Sequence, residues 1–154
     1  MDAETWLHFL HVLTAMVWVG GSLALQVVGT RISRGSGPEQ MHAMAGHFEF
    51  VGMRVFTPAS LAVLITGIWM TVSEEEWGFD QFWVLAALAM FAFSFLSGAL
   101  YLGPQLGRAK KIWDAEGPTS EAGAAIMRRL FIVSRIELVL LFLIVYDMVF
   151  KPFS

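Results

Sequence analysis

The longest uncharged stretch of the sequence constrains the fold more than any other feature. It runs from Trp6 to Gly29, about 24 residues without a formal charge. At ~1.5 Å per residue, a helix of that length crosses the ~30 Å hydrocarbon core of a bilayer. The preceding residues Asp2 and Glu4 are acidic, whereas a cleaved signal peptide starts with basic residues. We therefore interpret the stretch as a retained membrane-spanning helix.

The composition extends this interpretation to the whole chain. Hydrophobic residues make up 56% of the 154 residues and charged residues only 15%, against ~25% charged in soluble domains. The length predicts one domain, residues 1–154, with no separate soluble module. The absence of cysteine excludes disulfides, thiolate metal sites and thiol catalysis.

Three charged or turn-forming joints divide the chain into four apolar segments. The predicted spans are about 5–29, 52–73, 81–107 and 125–150. The stretch Glu39–Gly52 is too polar to span and is interpreted as a cytoplasmic helical lead-in to the second span. The sequence predicts an all-α fold, an integral membrane bundle of four antiparallel helices.

The basic residues give the orientation of the bundle. Nine of the ten lysines and arginines belong to the first and third joints or their flanks, and only Lys151 lies on the other side. Such asymmetry places the basic side in the cytoplasm. We expect a multi-pass protein of a bacterial inner (plasma) membrane with both termini outside. Trp6, Trp77, Trp83 and Phe153 would form an outer aromatic belt.

The polar residues of the first span share one helical face. At ~100° per residue, His8, His11, Trp18, Ser22 and Gln26 fall within roughly an 80° arc. Polar groups are costly against acyl chains, so this face should meet protein or a cavity.

His11 is the strongest candidate for chemistry. It lies about five residues inside the outer boundary, and its neutral imidazole is able to ligate a haem iron or a copper ion. The alternative is a hydrogen bond to serine, threonine or backbone across a helix interface. Met70, Met90 and Met148 lie in the same outer half, although methionines in such proteins usually serve packing.

Other polar residues lie deep in the predicted spans. Tyr101 shares a polar arc of the third span with Ser94 and Ser97, and a buried hydroxyl normally has a partner. Glu137 interrupts the apolar fourth span, so it needs a partner on another helix or is protonated. His42 and His47 form a cytoplasmic cluster, which we interpret as part of a solvated amphipathic segment rather than a metal or lipid site.

Several catalytic and binding motifs do not occur. We find no phosphate-cradling glycine loop, no HExxH, no nucleophile elbow and no basic nucleic-acid patch. The expected surroundings are lipid, and no nucleic acid is expected as a partner.

Short motifs in the spans resemble known bacterial membrane families. They are Leu10-His11-Val12, Trp18-Val19-Gly20-Gly21, Arg54-Val55-Phe56-Thr57-Pro58-Ala59, Thr66-Gly67-Ile68-Trp69 and the closing run from Asp147 to Phe153. Together they resemble small four-helix bacterial membrane proteins that are similar to the CopD copper-resistance domain. They also resemble the HemJ-type protoporphyrinogen oxidases.

The resemblance implies two kinds of cofactor. In the HemJ-type proteins the histidine of the first helix is associated with haem b, and His11 stands at that place. Those enzymes also use a lysine in the third span, where this chain has none. The copper-resistance relatives imply copper uptake or delivery. This chain has half their usual size and would act as an oligomer or with a partner.

Three hypotheses follow. The leading one is a protein that binds haem b or a porphyrin, with His11 as axial ligand, Trp18 and Tyr101 as walls and Glu137 as the nearest buried acid. It includes a possible redox role with a membrane redox partner or as a homo-oligomer. The second is copper handling through His11, His8 and outer methionines such as Met90. The third is an accessory subunit whose polar stripes bind helices together. Catalytic residues, and whether the protein is an enzyme, stay open.

Overall fold

The computed structural model describes residues 3–74 and 76–152, so Asp2 and Phe153 lie outside the described residues. The helices are α1 (Ala3–Gly35), α2 (Pro38–Val51), α3 (Thr57–Ser73), α4 (Phe82–Ser97), α5 (Gly103–Glu116) and α6 (Glu121–Phe150). A first π turn (Gly52–Phe56) joins α2 to α3, and a second π turn (Gly98–Leu102) joins α4 to α5. The described ranges contain no strand. The predicted all-helical bundle is confirmed.

The π turns merge the six helices into four rods. Three rods are long and apolar enough to cross a membrane: α1, Pro38–Ser73 and Phe82–Glu116. The fourth, α6, is 30 residues long but carries Arg135, Glu137 and Asp147 within its apolar part. Its role as a fourth span stays a prediction, which its packing against α1, α4 and α5 supports.

The helices extend further than the apolar segments indicated. The predicted joints 30–51 and 108–124 are largely helical, and between the helices the described residues outside helix are 36–37, 74, 76–81 and 117–120. Charged residues such as arginine, lysine and glutamate are good helix formers, so loss of apolarity marks the membrane boundary rather than the helix end. Gly117, with φ of 93°, ends α5 in a conformation that L side chains rarely adopt. The predicted helical lead-in before the second span is confirmed as α2.

Each π turn precedes a proline. Pro58 and Pro104 lack an N–H group, and their rings would clash with the carbonyl four residues earlier in a regular α-helix. The backbone widens instead, so that Thr57 donates to the Gly52 carbonyl and Gly103 to the Gly98 carbonyl. Because α2 and α5 both have 14 residues, the two turns lie at matching depths in antiparallel rods.

The helices pair differently in the two halves of the bundle. In the half that the sequence predicts to be outer, α1 packs on α3 and α4 packs on α6, whereas α3 and α4 hardly touch. Toward the other end, α1 meets α6 where Gln26 lies against Ser134 and Gly29 against Phe131. In the cytoplasmic half, α5 packs on α2 and α6. Separate apolar clusters fill the two halves, one around Trp18 and Phe91 and the other around Trp113 and Leu130. The outer half is therefore open between α3 and α4.

Large apolar side chains cover the outside of the rods. Met16, Val72, Leu100 and Val149 each expose more than 65% of their surface. A soluble protein rarely leaves such a continuous apolar surface uncovered, so lipid is the natural neighbour of these faces.

Candidate ligand site around His11

A cavity occupies the outer half of the bundle, where α3 and α4 diverge. Its walls are apolar and come from α1, α3, α4 and α6, with Trp18, Val63, Phe91 and Leu141 among them. The empty space is about 720 Å³ when its open mouth is included. As the helices stand, the interior has room for a few water molecules or an ion.

His11 is the polar ring in this apolar wall. It is 8% exposed, and its Nδ1 lies 2.9 Å from Thr66 Oγ1 on α3. The Thr66 hydroxyl has one hydrogen, which it directs to the Ala62 carbonyl at 2.6 Å. Thr66 therefore accepts a hydrogen bond from His11 Nδ1–H, and this assigns the tautomer with a lone pair on Nε2.

The Nε2 atom is the available nitrogen of His11. The side-chain hydrogen bond of the ring uses Nδ1, and the ring also lies within hydrogen-bonding reach of the Val63 backbone. Gly67 provides the space for the ring, because a Cβ at that position would lie 3.1 Å from His11 Cε1. The Thr66-Gly67 pair thus holds one edge of the imidazole. The structure shows the hydrogen bond to threonine across a helix interface that was the alternative interpretation of His11; its role as a ligand stays a prediction.

Trp18 lies beside His11 in the wall of the same cavity. Its ring meets Phe91 of α4 edge to face, with centroids 5.3 Å apart. This pair closes the cytoplasmic side of the cavity with aromatic surface. Trp18 and His11 thus line one cavity, and the role of Trp18 as the wall of a cofactor site stays a prediction.

Tyr101 does not line the cavity. It lies in the second π turn and is 37% exposed. The expected common face with Ser94 and Ser97 assumed ~100° per residue, and a π turn has more residues per turn than an α-helix. The wall that we expected from Tyr101 is instead formed by Phe91 and Trp83.

Glu137 belongs to a helix contact one turn beyond the cavity. Its Oε1 accepts a hydrogen bond of 2.9 Å from the hydroxyl of Ser94 on α4, and Ser94 is 1% exposed. Glu137 itself does not reach the cavity, although Leu141, the next turn of α6, lines it. The expected partner on another helix is therefore Ser94.

His8 and Met90 lie away from His11 Nε2. His8 Nδ1 bonds the Glu4 carbonyl at 3.1 Å, and its Nε2 lies 3.4 Å from Glu74 Oε1, so both nitrogens have partners. Met90 is not among the cavity-lining residues, whereas Met148 is. Among the residues that the structure describes, no three histidines or carboxylates gather around one point suited to a metal ion.

Two site residues escaped the sequence interpretation. Thr66 and Gly67 were part of a motif without a role, and Thr71, one turn further along α3, also lines the cavity. A threonine next to glycine inside an apolar span is a usable signal, because Thr66 offers an acceptor and Gly67 offers space.

The cytoplasmic histidines separate onto different faces. His42 Nε2 lies 2.7 Å from Asp114 Oδ1 and joins α2 to the charged end of α5, beyond the 81–107 span. The hydrogen bond from His42, together with Lys110, lowers the pKa of the Asp114 carboxyl below its ordinary value. His47 is exposed. His42 therefore serves a helix contact, and the two rings do not form one site.

Comparison with known proteins gives one match. From residue 5 to residue 152 the chain matches the family described as "Predicted integral membrane protein (DUF2269)". No curated protein and no solved structure matches the chain. The family match bears on the membrane location, while the likeness to the CopD and HemJ-type families continues to depend on the short motifs.

Proposed function

We propose, from the premise that this chain belongs to the DUF2269 family of predicted integral membrane proteins, that it binds haem b or a porphyrin in the outer half of its helical bundle. His11 Nε2 is the axial ligand in this proposal. Bound haem supplies one-electron redox chemistry. The chain's residues hold the group, exclude water from it and set the basicity of its ligand.

The observation that carries the proposal is the Nδ1–H···Thr66 hydrogen bond of 2.9 Å. Histidines that ligate metals usually donate their other N–H to an acceptor, which fixes the tautomer and raises the basicity of the ligating nitrogen. Thr66 performs this task for His11.

The surroundings fit a porphyrin in chemistry. The walls are apolar and partly aromatic, with Trp18, Trp83 and Phe91 as the largest members, as is usual for cofactor pockets. As the helices stand, the enclosed space is about 80 Å³, below the ~300–1,000 Å³ typical of such pockets, so a porphyrin does not fit without helix movement. Entry of a macrocycle requires α3 and α4 to move apart, and these are the helices of the outer half that hardly touch.

The proposal includes a place and an orientation. The site lies near the outer end of the bundle, in a bacterial inner membrane with both termini outside. A redox partner would therefore meet the protein at the outer membrane surface, and a second copy of the chain is the alternative partner.

The test is a visible spectrum of protein purified in mild detergent from cells supplied with a haem precursor, before and after dithionite. The wild type and His8→Ala are expected to show a Soret band that shifts on reduction, and His11→Ala is expected to lose it. His8 is the matched control because it lies one turn away on the same helix with both nitrogens engaged. A colourless wild type, or a full spectrum in folded His11→Ala, contradicts the proposal.

Copper handling is the second candidate, and Met148 favours it. A thioether and an imidazole are ligands that suit cuprous ion, and Met148 and His11 line one cavity. Metal analysis after copper loading is expected to show losses in His11→Ala and Met148→Leu but not in the control Met90→Leu. Equal copper in all four proteins would exclude this candidate.

A further inference from the structure

A second concave surface lies at the cytoplasmic end of the bundle, between α1 and α6. We name it the arginine groove. Its residues are Gln26, Val27, Thr30, Arg31, Arg34, Gly35 and Arg135. Three arginines from two helices thus line one open groove, about 20 residues along α1 from His11.

The three arginines have no acidic partner in the described part of the chain. The ion pairs found there join His8 to Glu74, His42 and Lys110 to Asp114, and Arg128 to Glu121. Like charges that share a groove repel one another, most strongly where little water screens them. An anion in the groove would remove this repulsion.

The predicted depth of Arg135 in the membrane is a further reason to expect an anion beside it. It precedes the end of α6 by 15 residues, or ~22 Å of helix, so its Cα lies within a ~30 Å hydrocarbon core that begins near that end. A charged side chain at that depth extends toward the nearer surface. On α6 that direction leads to Arg31 and Arg34.

Gln26 provides a further unused donor. Its Oε1 lies 2.7 Å from the Ser134 hydroxyl, which also lies 3.2 Å from the Phe131 carbonyl. Its Nε2 is buried without a hydrogen-bond partner, and such a group calls for an explanation. The groove therefore offers guanidinium N–H groups, the donors that bind phosphate oxygens in protein sites, and Gln26 forms part of its wall.

We propose that the arginine groove binds the phosphate group of an anionic phospholipid at the cytoplasmic surface. Both helices expose apolar side chains beside it, with Val27 at 59%, Ile132 at 58% and Ile136 at 61%. Acyl chains therefore have an apolar surface to follow directly below the headgroup. Basic pockets between membrane helices on this side are suited to anionic headgroups.

The test is electrospray mass spectrometry of the protein in uncharged detergent, with lipid titrated in and the lipid-bound fraction measured. Phosphatidylglycerol is the anionic probe, phosphatidylcholine the zwitterionic one, and inorganic phosphate the free ion. We expect preferential binding of phosphatidylglycerol, weakened about fivefold by Arg31→Gln and by Arg135→Gln. Arg129→Gln is the matched control, because it removes one charge from the same end of α6 outside the groove.

Each other outcome overturns the proposal. Equal binding of the two lipids would show that the negative charge is not recognised. An equal loss in Arg129→Gln would show a general charge effect and no groove. Inorganic phosphate that binds in preference to phosphatidylglycerol would assign the groove to a free anion. Circular dichroism of each variant establishes that it is folded, so that weaker binding is read as loss of the site.

Discussion

At the scale of single residues, the hydrogen bond between His11 and Thr66 determines which nitrogen of His11 remains for a ligand in the proposed site. It consumes the Nδ1–H of the imidazole and leaves the lone pair of Nε2 available. Without Thr66, either nitrogen carries the proton and the ring loses its fixed orientation. The hydrogen bond to Thr66 thus holds the imidazole in one orientation, and with it Nε2, the ligand atom of the proposed site.

We expect Thr66→Val to weaken cofactor binding by about 10- to 100-fold, because the variant keeps the shape of the side chain and loses the acceptor for Nδ1–H. Thr71→Val is the matched control, since Thr71 lines the same cavity but donates only to the Gly67 carbonyl of its own helix. The measurement is a titration of the apoprotein with haem. Equal affinities in the two variants would mean that Thr66 does not orient His11.

The sequence predicts some of these residues and misses others for a physical reason. His11 and Trp18 are seven residues apart on one regular helix, so their common face follows from helical periodicity. Tyr101 lies in a π turn, where that periodicity fails. Thr66 is on another helix, and its role depends on how α3 packs against α1, which periodicity within one helix does not encode.

At the scale of helices, glycines set how closely the rods approach. A Cβ at Gly21 would lie 2.6 Å from Phe56 Cε1 in the first π turn, whereas a Cβ at Gly20 has nothing within 4 Å. Alanine substitutions at these two adjacent positions of α1 therefore distinguish the effect of close packing on stability from the effect of helix propensity.

We expect Gly21→Ala to destabilise the bundle by about 1–3 kcal/mol, because the added methyl group overpacks against Phe56. Gly20→Ala is expected to be neutral or slightly stabilising, since alanine favours helix over glycine by ~1 kcal/mol. Thermal denaturation in detergent, followed by circular dichroism, measures both. A Gly21→Ala protein as stable as Gly20→Ala would contradict the observed contact.

The helix positions follow from the sequence better than the helix ends do. The outer break was predicted at 74–80, and α3 and α4 are separated by residues 74–81. The predicted spans are shorter than the helices at the end rich in basic residues, because hydropathy detects lipid contact and helical backbone continues through charged residues. The span bounds themselves stay a prediction. The π turns follow from Pro58 and Pro104 only when the cost of a proline inside a helix is considered.

At the scale of the whole molecule, the apolar rods and the distribution of basic residues define a membrane bundle with a direction. The cavity lies in one half and the arginine groove in the other, and the predicted direction would place the first on the outer side and the second in the cytoplasm. Composition predicts the bundle. It does not predict that the α3–α4 side is open, because that depends on which pairs of helices pack.

The direction is testable because the chain has no cysteine. We expect a membrane-impermeant maleimide to label Glu76→Cys and Pro152→Cys from outside intact cells. Thr119→Cys is expected to react only after the membrane is opened, since α6 separates residue 119 from residue 152. Labelling of Thr119→Cys together with Pro152→Cys from one side would show that α6 does not cross.

The central claim is that His11 Nε2 is the axial ligand of a bound haem, and rescue by free imidazole tests it most directly. His11→Gly removes the ring and leaves its space in the wall. The account predicts that the folded variant lacks the wild-type Soret and reduced-state bands and regains them when imidazole is added. A His11→Gly protein that keeps the full spectrum without imidazole, or that stays colourless with it while still folded, would contradict the account.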